Sequence, residues 1–400
     1  MYTEELIEIK DIDSYPNNLP SIDYKAFADD LNKIRNEIST DLSEKDFKHL
    51  KKIERWGRVC TLLGYSTSWI VPNPISAFLI SQGNITRWAM TTHHIIHKGY
   101  DKVPNIPERY TSKKYAVGIR RFIDWFDWIL PEAWNHEHNI LHHYYTGEVS
   151  DPDLVEKSMD IVRKSKIPAF FKYIAILFFM STWKLSYYAP NTLWILQQTK
   201  RKSKKNREVM EKIPAGTYPG SKLLIPFSKG SGEFLLKCVL PYFLARFVLI
   251  PALFLPLGKT AAVFVLINSI LAEIITNLHS FLIIVPNHAG DDVYRYDTGI
   301  TDPAEFYVRQ VAGSVNYNCG NDITDFFHGW LNYQIEHHLF PDLPLLKYQE
   351  YQGKIKEICQ KHHVPYIQEN VFKRFSKLLK IMVGKTDMKK TSTIPRKARA

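Results

Sequence analysis

The chain has 400 residues, a net charge of +11, 45% apolar and 13% aromatic residues, and a slightly negative mean hydropathy. That negative hydropathy argues against a many-pass transporter, while long apolar runs separated by polar stretches suit a protein partly in lipid and partly in water. The four scattered cysteines form no Cys-x-x-Cys pair, so neither a disulfide scaffold nor a thiolate metal site is expected.

Residues 1–55 are polar, and Tyr24–Glu54 carries Phe27, Leu31, Ile34 and Ile38 at helical spacing, which predicts an amphipathic extramembrane helix. The N-terminus is acidic and lacks the apolar stretch of a secretory signal, so insertion is expected to rely on internal segments. A membrane domain is expected over 56–345. Its first apolar region, 58–90, is broken by Pro72, Asn73 and Pro74 and predicts a short pair of spans or a re-entrant hairpin. Residues 167–198 are apolar but interrupted by Lys184 and Pro190, which leaves an interfacial segment or a hairpin.

The strongest spans are 234–256 and 261–286, each passing the roughly twenty-residue length a bilayer needs. Lys237, Arg246 and Glu273 inside them are costly unless they snorkel or face a cavity. Residues 346–383 predict cytosolic helices, and 384–400 a basic disordered tail. The other basic run is 200–212; without any zinc-finger, homeodomain or aromatic RNA-binding motif, no nucleic-acid partner is expected, and both runs suit the cytoplasmic face of a membrane.

Most of the fifteen histidines gather in three clusters. His93, His94 and His97 form the first; His136, His138, His142 and His143 the second; His337 and His338, with Gln334, the third. On a helix His138 and His142 share one face with His143 on its flank, and neutral imidazoles converging on one volume make a transition-metal site. Spacing alone leaves zinc, copper, iron and nickel open. There is no His-Glu-x-x-His and no Glu-x-x-His, which argues against a zinc protease and a soluble di-iron carboxylate bundle. One shared site requires all three clusters on the same side of the membrane. An even number of crossings must then separate His143 from His337, which the 234–286 hairpin supplies.

These histidines carry a resemblance. The pattern His93…His97, then His138…His142-His143, then Gln334-x-x-His337-His338 resembles the histidine-box di-iron enzymes of the membrane fatty acid desaturase superfamily. Gly329-Trp-Leu-Asn-Tyr-Gln-Ile-Glu-His-His-Leu-Phe-Pro341 is similar to the third box of front-end acyl desaturases, and Arg309–Asn316 and His142–Leu154 extend the likeness over roughly residues 90–345. Two departures stand out: three residues, not two, precede the pair in the second box, and the first box opens His-His.

The resemblance implies an all-α integral membrane bundle with a cytosolic helical cap holding a histidine-rich di-metal site. It implies two iron ions (Fe2+/Fe3+) bound by His93, His97, His138, His142, His143, His288, Gln334, His337 and His338. His94, His136, Asn139, Asn287 and Glu336, with Asn135, Asp151 and Asp153, are candidates to touch the ligands or a headgroup; His279 is a weaker ligand candidate. Trp128, Trp134, Tyr144 and Trp330 are candidates to line a substrate tunnel, alongside Trp125 and Tyr145.

The implied reaction is O2-dependent desaturation of a fatty acyl chain in the endoplasmic reticulum or a bacterial inner membrane, with the site on the cytosolic side. Front-end relatives often carry a fused cytochrome with a His-Pro-Gly-Gly motif, absent here, so the external electron donor is expected to be a separate cytochrome b-type protein or a ferredoxin. The alternatives are a lipid hydroxylase on the same scaffold, or a histidine-rich membrane metal transporter, which would hold its ligands within the spans.

Overall fold

The computed structural model describes residues 19–202, 206–300 and 302–391, so the expectations for residues 1–18, 203–205 and 392–400 lie outside the described residues. Nearly all regular structure is helical. Helix α1 (Tyr24–Thr40) starts where Asp23 accepts a hydrogen bond from the Ala26 amide at 3.0 Å, and buries Phe27, Leu31 and Ile38. Helix α2 (Glu44–Ser68) begins as the Ser43 amide donates to Asp46 at 2.9 Å. Tyr24–Glu54 is therefore two helices, broken at Asp41. α2 itself runs unbroken through the expected boundary between residues 55 and 56, because its apolar second half continues the same helical register.

After α2 the chain reverses at Pro72–Pro74 and Asn73 caps α3 (Pro74–Ile85), accepting from the Ser76 amide at 2.8 Å. The two form a tight hairpin. A Cβ on Gly57 would meet the Thr86 side chain at 2.6 Å and one on Gly64 would meet Ile80 at 2.7 Å, so small residues let the backbones approach.

The 167–198 region is not folded back on itself as a hairpin. Helix α4 (Ala169–Trp183) continues through a π-helical stretch, Lys184–Tyr188, into a last segment, Ala189–Lys202. Pro190 is tolerated because it falls at the start of that segment, just past the widened turns. Lys184 does not interrupt the helix either: it is 1% exposed, paired with Asp127 and set over the Trp88 ring at 4.4 Å.

Two helical stretches, α5 (Ser231–Leu257) and α6 (Lys259–His288), are long and apolar enough to cross a membrane. Large apolar side chains stand exposed along α4, α5 and α6, among them Phe178, Leu236, Leu249, Val263 and Ile270. The three charged residues flagged in the sequence find partners: Lys237 pairs with Glu233 at 3.0 Å, Arg246 binds the Tyr65 hydroxyl at 2.9 Å and the Asn84 side-chain oxygen, and Glu273 accepts from Trp128 and Tyr242, each at 2.7 Å.

Beyond α6, helices α7 (Leu345–Lys361) and α8 (Val371–Val383) pack over the histidines. Arg374, wholly buried, forks onto Asp292 at 2.6 and 2.7 Å and ties α8 to the segment following α6. The tail expected to be disordered from 384 is folded as far as Lys390: Lys389–Lys390 pairs in parallel with Tyr294–Arg295, and Met388 is buried. Its basic composition hid an apolar anchor.

Candidate metal centre

Three chain segments bring the histidines in, and the first two do so through π-helical turns. Thr86–Thr92 leads into His93–Ile96, and Asn135–His142 leads into His143–Tyr145. A π-turn places residues five apart on one face, which re-sorts the second cluster. His138 and His143 point Nε2 atoms at one another, 3.3 Å apart, while His142 also reaches a different set. In the third segment Phe326, Trp330, Gln334 and His338 recur at helical spacing, yet they do not share one helix. The segment is instead broken: Gly329 and Trp330 both take left-handed conformations, φ +66° and +58°, between Asp322–Phe327 and Gln334–Leu339. The reversal lets Asn332 and Tyr333 donate back to the Asp325 carboxylate at 2.6 and 2.9 Å, which aims His337 and His338 inward.

The rings sort into two groups. His93, His97, His138, His143 and His337 form one, His142, His288 and His338 the other, and within each group the ligand nitrogens lie within 4.8 Å of one another. The groups abut, with His143 and His338 stacked at 4.3 Å between centroids. Within the first, the Nε2 of His93 lies 3.0 Å from that of His337 and 3.1 Å from that of His138. One ring nitrogen has a single proton or a single lone pair, so it cannot satisfy both neighbours. A cation can: ligands at right angles on metal–nitrogen bonds of about 2.1 Å stand about 3.0 Å apart. The Nε2 atoms of His97 and His338 are buried and have no hydrogen-bond partner, as atoms awaiting an ion would be.

Outer partners fix which nitrogen faces inward. His142 Nδ1 donates to Asp151 at 3.0 Å, His288 Nδ1 to the Gly313 carbonyl at 3.2 Å, and His338 Nδ1 to the Gln310 side-chain oxygen at 2.9 Å. Each leaves Nε2 as the unprotonated nitrogen with the lone pair a metal would take. Burial pushes His93, His97, His138, His143, His337 and His338 well below the ordinary histidine pKa, so they stay neutral. His142 differs: burial opposes its cation, but the charge and hydrogen bond of Asp151 outweigh it and raise the pKa.

The remaining expected residues fall in distinct places. Gln334 touches the second group, its Nε2 2.9 Å from that of His288, and Asn287 holds it by donating to Gln334 Oε1 at 3.1 Å. His94 is buried against His93 and His337, its Nδ1 on the Met90 carbonyl, outside both groups. His136 faces Thr199 at 2.6 Å, and Asn139 bonds Asn135, so neither points at the ligands. Glu336 turns away as well, accepting from Tyr366 and Asn316 at 2.6 and 2.8 Å; burial pushes its pKa up to about 7. Asp153 joins His138 and His142 in a third potential ligand group. His279 binds Gln82 and the Phe327 carbonyl.

A cavity of about 210 Å³ meets the ligands of both groups: His93, His138, His142, His288 and Gln334 line it. The rest of its wall is chiefly aromatic and apolar, including Trp88, Phe179, Trp183, Phe281, Val285 and Met382. Of the six aromatic residues expected there, only Trp134 lines it; Trp125 packs behind Trp134 and Tyr145 against Leu141 and Ile195. Trp128 packs on Tyr242, Tyr144 is 62% exposed, and Trp330 lies buried against His49. The sequence signal for the true wall was the Trp183…Tyr187-Tyr188 cluster, set beside the puzzling Lys184.

The fatty acid desaturase family model matches residues 67–370. The chain is 25% identical over 387 residues, 92% of its length and 81% of the relative's, to an NADPH-dependent stearoyl-CoA 9-desaturase of Mycobacterium tuberculosis. Over 80 residues, 20% of this chain and 17% of the relative, it is 39% identical to Delta(8)-fatty-acid desaturase 2 of Arabidopsis thaliana. Over 100 residues, 24% of this chain and 22% of the relative, it is 35% identical to a Delta(8)-fatty-acid desaturase of Euglena gracilis. No solved structure gives a significant match. With a family match spanning most of the sequence and a histidine cluster suited to metal, this oxidoreductase belongs to the fatty acid desaturase family.

Proposed function

We propose that the protein is an O2-dependent fatty acyl desaturase working at two iron ions. One would be held by His93, His97, His138, His143 and His337, the other by His142, His288 and His338 with Gln334 beside them. Iron there would supply the oxidising power for breaking unactivated C–H bonds, which no side chain possesses. The chain's own work is binding and orientation. Asp151, Gly313 and Gln310 keep three imidazoles in the tautomer that presents Nε2. Trp88, Phe179, Trp183 and Phe281 exclude water and hold methylenes over the ligands.

The observation that carries this reading is one apolar hollow floored by ligands from both histidine groups. The relatives are named for stearoyl-CoA, fatty-acid and acyl-lipid desaturation, and the common element, a fatty acyl chain, is the substrate class proposed here. The domain over 56–345 would be an integral membrane bundle, crossing at least through α5 and α6, capped on the cytosolic side by α1, α7 and α8. Its membrane would be the endoplasmic reticulum or a bacterial inner membrane. Electrons would come from a separate cytochrome b-type protein or ferredoxin.

Expression in a host of defined lipid composition tests the proposal, with His142→Ala as control. A fatty acyl product lighter by two hydrogens, absent from the control, is expected. A product heavier by one oxygen would replace desaturation with hydroxylation. Zinc without iron in the purified protein, with metal uptake by cells, would favour transport.

A further inference from the structure

A second cavity, about 350 Å³, lies between α2, the π-helical extension of α3 and the Tyr115–Asp124 segment. It is separate from the metal centre: Arg87 lines it, whereas the next residue, Trp88, lines the catalytic cavity. Its charges do not balance. Glu54 is already engaged by Lys51, Arg58 and the Tyr110 hydroxyl, and Asp124 by a two-point contact from Arg120 at 2.8 and 2.9 Å. The Arg87 carbonyl accepts from the Thr92 hydroxyl at 2.6 Å, but its half-buried guanidinium has no ion pair, hydrogen bond or ring contact with any described residue. The positive charges of Arg58 and Arg246 act on it from nearby, and Arg246 is met directly by neutral groups, Tyr65 and Asn84. A half-buried guanidinium without a counterion is expensive, and an oxyanion seated on its fork would relieve that cost.

The rim indicates what carries the anion. Leu62 and Ile123 line the cavity and are 70% and 68% exposed, and Ile119 and Phe122 extend the apolar surface beside them. A charged interior behind an apolar mouth matches an anionic head joined to hydrocarbon. We infer that this cavity is a binding site for the phosphate headgroup of an anionic phospholipid, with Arg87 as its principal contact and Leu62 and Ile123 against the acyl chains. The site is independent of the desaturase reading.

Delipidated full-length protein in detergent, titrated with phosphatidylglycerol, phosphatidylcholine or inorganic phosphate while tryptophan fluorescence is followed, tests the inference. Saturable binding of phosphatidylglycerol is expected, weakened at least about tenfold by Arg87→Gln, the effect of one lost charge-assisted contact. Ile123→Glu, on the exposed rim, should also weaken it by setting a carboxylate against the acyl chains at the mouth, and serves as the test if Arg87→Gln fails to fold. Unchanged affinity in a folded Arg87→Gln, or in Ile123→Glu, would overturn the site. Phosphatidylcholine binding as tightly would overturn the demand for an anionic lipid. Inorganic phosphate binding as tightly would assign the cavity to free phosphate and overturn the lipid.

Discussion

The five-histidine and three-histidine groups share a wall, yet they are held in place differently. In the larger group the rings hold one another: His97 packs against His93, His138, His143 and His337 at 4.5 to 5.2 Å between centroids, and the Nδ1 atoms of His138 and His143 are buried without partners. In the smaller group each ring is anchored from behind, by Asp151, Gly313 or Gln310. The crowded group resembles a packed core with nitrogens in it; the other is a polar network. Removing a ring should damage the first most, and removing an outer partner should damage chiefly the second, since in the first His337 Nδ1 faces the Tyr348 hydroxyl at 3.3 Å while His138 and His143 have no such partner.

The largest expected effect follows from His138, which belongs both to the five-histidine group and to the set with His142 and Asp153. His138→Ala should abolish product formation and reduce iron below two per chain, measured by lipid profiling and metal analysis. Retention of two irons would show that the groups do not share this ligand. Next, Asp151→Asn removes the carboxylate that accepts from His142 and should cost about 10- to 100-fold in activity or metal affinity. A loss of the same size for iron in both groups would erase the distinction between them.

Two stability effects test the packing around the groups. Gly57→Val in the α2–α3 hairpin pushes side-chain atoms into Thr86, at the start of the π-turn leading to His93, and should destabilise the protein by about 1–3 kcal/mol in thermal unfolding. His49 provides a pH test away from the ligands. Burial, helped by Lys52, lowers its pKa to about 4, while the unfolded chain takes up that proton near 6.5. Its neutral form is therefore favoured by folding above pH 6.5, and that contribution, at most about 3 kcal/mol, disappears as pH falls from about 6.5 to 4. His49→Leu should flatten the stability curve in that window; an unaltered slope would place the acid sensitivity elsewhere.

The histidine clusters were legible because ligands must recur at turn spacing whatever surrounds them. The apolar length of α5 and α6 was equally plain. The tunnel was not. Trp128, Trp134, Tyr144 and Trp330 have compositions that fit a tunnel, a core or a surface alike, and only Trp134 faces the cavity. Lys184 read as an interruption because its counterion, Asp127, lies 57 residues earlier in the chain. The π-turns left no spacing signal: His138 and His142 stack on one face as their spacing implies, but the direct facing of His138 and His143 was not legible.

By itself, then, the order of residues determined the metal-binding chemistry, the helical class and the apolar segments, since each depends on residue type and local period. Which imidazoles gather into which group, which aromatic rings form the wall and why the Arg87 guanidinium stands without a counterion among the described residues were decided only by tertiary packing. Such matters turn on contacts between segments tens to hundreds of residues apart, where a shift of a few ångströms moves a nitrogen from one ion to the next.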